Sequence, residues 1–171
     1  MDLDKKLKEY LDRYLITEKE KHIFKYALGK SCSKQNIQME DACCETNANI
    51  DEFINQNKSE DTFQTKLFKY IDAKDLKDSD VYNKANIDRR LFSKIRSNKD
   101  YHPSKETIIL LGFALELNEI EIEDLLSTAS YSLPMNTKFD LIIRFCFKEG
   151  IYDINQINEF LYNYNCKLLN Q

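Results

Sequence analysis

The chain has 171 residues, of which 42% are hydrophobic and 12% aromatic, which is enough for an ordinary core and excludes a disordered chain. Its 25 basic and 29 acidic residues give a net charge of −4, so any contact with nucleic acid must be local. Three Gly and two Pro are too few for the many turns of a sheet protein, and this scarcity predicts an all-α fold.

The five cysteines indicate reduced thiols in a cytoplasmic protein, because their number is odd and no apolar leader precedes them. The candidate metal site is Cys32, Cys43 and Cys44, with or without His22. Zinc ligands are usually separated by two to four residues, and the adjacent Cys43 and Cys44 do not fit that spacing. We therefore predict no metal and no cofactor.

The apolar runs of the sequence are too short to span a bilayer.

The N-terminal part begins with an amphipathic helix, because leucines recur every four residues from Leu3 to Leu15. Thr17 and Glu20 form a capping-box pattern that predicts a second helix ending at Gly29. Residues 30–58 are polar and irregular. We therefore assign 1–58 to an N-terminal helical extension with a polar link. The leucines could form a dimer stripe or a partner-binding surface, but docking on their own domain is the simpler explanation.

Helical periodicity is strong from residue 59 onward. A helix over about 60–73 is followed by a short helix capped by Ser79. The chain must then turn at Asn86, a residue type that tolerates a positive φ. The expected core residues of this part are Phe63, Leu67, Ile71, Val81 and Ala85.

The stretch 84–105 is basic within an acidic chain, with seven Lys and Arg residues against two Asp. Asp88 is placed to cap the next helix, and the helix together with this cap spans 88–98. Helical phasing puts Leu91, Phe92 and Ile95 on the core side, together with Ile87. The residues on the opposite side are Arg89, Arg90, Ser93, Lys94 and Ser97.

Further helices follow the basic stretch. Ser104 caps a helix through Leu117, and Asn118 with Glu121 forms a capping box for the next. We divide the rest of the chain into a domain of residues 59–131 and a C-terminal helix pair, 132–171, packed on it. The pair begins at Asn136 or Thr137, breaks at Gly150 and resumes at Asp153. The acidic cluster on the helix after Asn118 is interpreted as a solvent or partner face, and it comprises Glu119, Glu121, Glu123 and Asp124.

The run from Val81 to Arg96 resembles the helix-turn-helix of the phage lambda repressor-like (Xre) family. The resemblance extends over about 60–130 and implies a five-helix domain whose recognition helix, 88–98, lies in the major groove of DNA. Ser93 matches the Ser commonly found there. The sequence departs from the family at Arg96, where Glu is frequent, and at Asn86, which replaces the usual turn Gly.

A narrower resemblance covers about 60–170. These residues look like a helical module at the C-terminus of larger bacterial proteins, some of which carry a macro domain. Residues 1–58 contain no Gly-rich loop for ADP-ribose, so we expect no macro domain within them. The module resemblance implies a role in targeting or regulating an attached activity.

The basic capped helix and the family resemblance together predict a non-enzymatic, sequence-specific DNA-binding protein. The resemblance implies bacterial transcription regulation as its function. Double-stranded DNA is the expected partner. The family resemblance allows a homodimer, and the sequence leaves the oligomeric state open. The alternative is a protein-interaction or targeting module that keeps the fold and binds an acidic protein or RNA. No nucleophile elbow or Gly-rich phosphate loop indicates an enzyme. The predicted contact residues are Arg89, Arg90, Ser93, Lys94, Ser97, Lys99 and Lys105.

Overall fold

The computed structural model describes residues 3–15, 62–98 and 101–169, and these residues form eight α-helices and no strand. The all-α prediction is confirmed for this part of the chain. No helix in it is long and apolar enough to cross a membrane. The helices are α1 (Leu3–Tyr14), α2 (Phe63–Ala73), α3 (Asp78–Lys84), α4 (Arg89–Ser97), α5 (Lys105–Ala114), α6 (Glu119–Thr128), α7 (Lys138–Glu149) and α8 (Ile154–Asn163).

All described residues belong to one compact unit, Met1–Leu15 together with Asp61–Gln171. The predicted second helix at 17–29 and the polar link at 30–58 lie outside the described residues. The same holds for Lys99 and for the cysteines and histidine considered as a metal site.

Most helix starts follow from local capping chemistry. The side chains of Asp88, Ser104, Thr137 and Asp153 each accept a hydrogen bond from a backbone N–H in the first turn of the helix they precede. Asn118 and Glu121 form the complete capping box. These predicted starts are confirmed, and Thr137 rather than Asn136 begins the C-terminal pair.

The predicted cap at Ser79 is wrong. The helix begins at Asp78, and Lys77 occupies the cap position without a side-chain bond. The Lys77 carbonyl already accepts the first helical bonds, at 2.9 Å from the Asp80 N–H and 3.2 Å from the Val81 N–H. The carboxylates of Asp78 and Asp80 are themselves favourable at a helix N-terminus, so this start does not need a hydroxyl cap.

Six of the described helices end in a left-handed residue, although the chain has only three glycines. In each case the next residue donates its N–H to the carbonyl five positions earlier, as Ile87 does to Tyr82 at 2.9 Å. Asn86 has φ 51°, which confirms the predicted turn. The left-handed residues are Asp75, Asn86, Glu116, Ser130, Gly150 and Asn165.

Helix α5 lies at the centre of the core, and every residue from Ile108 to Ala114 is buried. The ring of Phe113 stacks on Phe147 of α7 with centroids 4.1 Å apart. A side chain at Gly112 would lie 2.5 Å from Ile122 of α6. The glycine therefore allows α6 to approach α5 closely.

Helix α1 packs on α7. Leu7 and Leu11 of the leucine stripe are buried, and the ring of Tyr10 lies 5.3 Å from that of Phe145. Lys6 pairs with Glu149 at 3.0 Å. The stripe is therefore used within the domain, as the simpler sequence interpretation predicted.

The left-handed helix ends generate a stability prediction. Ser130→Gly should raise the free energy of unfolding by about 0.5 kcal/mol, because relief of the left-handed strain exceeds the added entropy of the unfolded chain. Asn86→Gly should change it less, because Asn tolerates this conformation. Urea denaturation measures both. Ser132→Gly is the control, since Ser132 lacks a positive φ and should gain nothing. An equal gain in the control would contradict the explanation.

Candidate nucleic-acid interface

Helix α4 is held by its cap and its apolar side. The Asp88 carboxylate accepts the Arg90 N–H at 2.6 Å, which orders the first turn. On the inner side Phe92 and Ile95 are buried. The Phe92 ring is perpendicular to the Phe68 ring of α2, with centroids 6.2 Å apart. Its centroid lies 5.8 Å from that of the Tyr82 ring in α3. The helix is therefore fixed against both neighbours.

The opposite side of α4 is open to solvent. We call this surface the exposed face of α4, and its residues are Arg89, Arg90, Ser93, Lys94 and Ser97. Leu91, predicted on the core side, is only half-buried and lies at the border. Five of the seven predicted contact residues thus share one surface, and Lys99 lies outside the described residues.

Lys105 is engaged elsewhere. Its ammonium lies 2.5 Å from a carboxylate oxygen of Asp140 in α7, and the Asp140 side chain is only 6% exposed. Thr137 donates a second bond to the same carboxylate at 2.8 Å. A role for Lys105 in neutralising phosphate would therefore compete with an ion pair inside the protein.

Two further basic residues of the stretch are also paired. The ammonium of Lys84 binds the carboxylate of Glu116, and this hydrogen bond holds the pKa of Glu116 below its ordinary value. The guanidinium of Arg96 pairs with Asp78. Three of the seven positive charges are thus matched by carboxylates within the domain.

The remaining described cations lie on the exposed face of α4. The ammonium of Lys94 sits over the ring of Tyr101, 4.3 Å from its centroid, which restricts the direction of the side chain. Arg89 and Arg90 form no ion pair with any residue that the structure describes. Their guanidinium groups are the free charges of the face. The role of Tyr101 was missed from sequence, where the only signal was an aromatic residue just beyond the helix.

The acidic cluster of α6 does not form a free face, which corrects the sequence interpretation. Arg144 of α7 binds Glu119 at 2.9 Å and also binds Glu123. Burial alone would lower the pKa of Arg144, but these two carboxylates outweigh burial and raise it. The two acids therefore join α6 to α7.

The other two acids of the cluster are also engaged. Asp124 accepts bonds from Lys66 at 2.6 Å and from the Tyr70 hydroxyl at 3.2 Å, which joins α6 to α2. Burial, assisted by Asp124, raises the pKa of Tyr70 to about 12. Glu121 serves in the capping box. Each acid of the cluster is therefore engaged within the domain, either in an ion pair or in the capping box.

No other chemistry is evident in the described part of the chain. There, no group of three His, Cys, Asp or Glu side chains is placed to hold a metal. His102 is exposed beside the Tyr131 ring, with centroids 5.1 Å apart. Cys146 and Cys166 are free thiols, and burial raises the pKa of Cys146 to about 12.

Comparison with protein-family profiles, curated proteins and solved structures finds no significant match to this chain.

The pairing of Lys105 generates a second prediction. Lys105→Met should lower the free energy of unfolding by about 2 kcal/mol, because it leaves the buried Asp140 carboxylate without its cation. Urea denaturation provides the measurement. Lys167→Met is the matched control, because its partner Glu106 is 3.0 Å away in an exposed pair that should contribute less than about 1 kcal/mol. Equal small losses in the two variants would show that Lys105 acts as a solvent-exposed cation.

Proposed function

We propose that the chain is a sequence-specific DNA-binding protein, with bacterial transcription regulation as its role. On this proposal α2 to α6 form a helix-turn-helix domain of the lambda repressor-like kind, and α4 lies in the major groove. The single observation that carries the proposal is the exposed face of α4. It presents two unpaired arginines in the first turn of a helix whose other side is fixed by packing.

The dimensions and chemistry of α4 suit this role. An α-helix is about 10–12 Å across with its side chains, and the major groove of DNA is about 12 Å wide. Arg89 and Arg90 occupy the first two helical positions, where recognition helices contact base edges. A guanidinium fork can bind O6 and N7 of guanine together, and each such pair contributes about 1–3 kcal/mol of discrimination.

The rest of the exposed face can extend the contact. Ser93 and Ser97 lie one turn apart along the same side of α4, and hydroxyls can donate to or accept from base edges and phosphates. Lys94 is held over Tyr101 and supplies an ammonium for a phosphate. Because the acids of α6 are already engaged, the domain can carry this local positive surface within an acidic chain.

The proposal predicts that wild-type protein enriches a defined sequence from a random-sequence DNA pool at moderate salt. Arg89→Ala with Arg90→Ala should reduce discrimination between that sequence and a mismatched one by about tenfold or more. The melting temperature should stay nearly unchanged, because both side chains are exposed. Fluorescence anisotropy gives the affinities, and a thermal melt gives the stability.

The matched control is Lys5→Ala with Lys8→Ala, which removes the same charge from the exposed side of α1. It should keep sequence discrimination. Failure of the wild type to enrich any sequence would defeat the proposal and favour a protein- or RNA-binding module. If two copies bind, the enriched sequence should contain two half-sites about 10–10.5 base pairs apart, centre to centre, or a multiple of that spacing.

A further inference from the structure

We propose that Arg96 is a positioning residue for the exposed face of α4. It fixes the angle between α3 and α4 and does not itself contact the nucleic acid. This inference rests on the proposed DNA-binding function. It distinguishes Arg89 and Arg90, which would contact DNA, from Arg96, which would orient their helix.

Contacts from two neighbouring helices converge on Arg96. Its guanidinium pairs with the carboxylate of Asp78 in the first turn of α3. The same group lies over the ring of Phe68 in α2, 4.9 Å from the centroid. The Arg96 backbone carbonyl accepts a hydrogen bond from the side chain of Gln64, also in α2. The last turn of α4 is therefore held to α2 and α3 through Arg96, in addition to the burial of Ile95.

The ion pair joins the parts of α3 and α4 that lie far from the turn between them. Asp78 is the first residue of α3, and Arg96 is the penultimate residue of α4. With a rise of about 1.5 Å per residue, each lies about 10 Å from the turn. A rotation of about 10° around the turn would move these ends by nearly 2 Å, so the ion pair opposes such a rotation. A contact at this position restrains the interhelical angle more than one near the turn.

That angle determines where the arginines of the exposed face point. A bidentate bond to guanine requires that the guanidinium fork has the right direction as well as the right distance. The tolerance in direction is about 10–20°. Arg89 and Arg90 start from the turn end of α4, so they follow any rotation of the helix. Loss of the Arg96 contact should therefore weaken base discrimination before it weakens general attraction to DNA.

The alternative role for Arg96 is a direct phosphate contact, since its side chain is 58% exposed. The two roles predict opposite effects at Asp78. If only charge mattered, Asp78→Asn would remove a negative charge from the domain and tighten DNA binding. If Arg96 positions α4, Asp78→Asn should weaken discrimination in the same way as Arg96→Gln.

The experiment compares Arg96→Gln, Asp78→Asn and the exchanged double variant Arg96→Asp with Asp78→Arg. Affinities for the enriched and the mismatched DNA are measured over a series of salt concentrations. We expect both single variants to lose discrimination by about threefold to tenfold, with the salt slope unchanged, and the exchanged pair to recover part of it. Lys84→Gln, which breaks the exposed pair with Glu116, is the control and should keep discrimination.

Tighter binding by Asp78→Asn would overturn the inference. A salt slope lower by about 0.9 in Arg96→Gln, with discrimination intact, would also overturn it, because that is the result of a lost phosphate contact.

A measurement without DNA separates this inference from the proposed function. Backbone amide shifts of α4 should change alike in the two single variants and return toward wild type in the exchanged pair. If wild type enriches no DNA, the proposed function falls. The amide shifts then still decide whether Arg96 sets the helix angle, and unchanged shifts would exclude it.

Discussion

Burial of α5 on all its sides is the interaction on which the surrounding helices depend. A helix that is apolar around its whole circumference is stable only when other elements cover every side. Helices α3 and α6 pack on α5, and α7 stacks Phe147 on its Phe113 ring. Helix α1 then covers α7. Because α3 is fixed to this centre, α4 can rest on α3 and α2 through Phe92 while its other side stays in solvent.

Ion pairs between helices decide which charges remain available. The basic stretch and the acidic helix α6 each carry a local excess of one sign in the sequence. Three of the seven cations and three of the four acids form ion pairs that join neighbouring elements. Arg144 joins α7 to α6, Asp124 joins α6 to α2, and Lys105 joins α5 to α7. The exposed pairs add little stability individually, while the buried carboxylate of Asp140 needs its cation.

The sequence predicted the features that depend on neighbouring residues. Caps and the turn at Asn86 follow from contacts within a few positions, so Asp88, Asn118 and Asp153 could be identified directly. The predicted cap at Ser79 was wrong because two acidic residues can begin a helix without a hydroxyl cap. The amphipathic phasing of α4 was equally local.

Contacts between residues distant in the chain could not be predicted in this way. Lys84 and its partner are 32 residues apart, and Lys105 and Asp140 are 35 apart. Local patterns do not encode which of several acids a lysine will meet after folding. For the same reason the cap at Ser104 predicted the helix but did not show that α5 is buried on every side.

The small number of free cations constrains how the proposed DNA contact would work. Arg89, Arg90 and Lys94 are the described cations of the basic stretch that no carboxylate neutralises. Three phosphate contacts would give a salt slope of only about −2.7 for each copy, which implies weak nonspecific attraction. If both arginines bind bases, the electrostatic part falls further and Lys94 carries most of it. On the proposed function, affinity would then come mainly from the geometry of two guanidinium forks, so the angle of α4 would matter more than its charge.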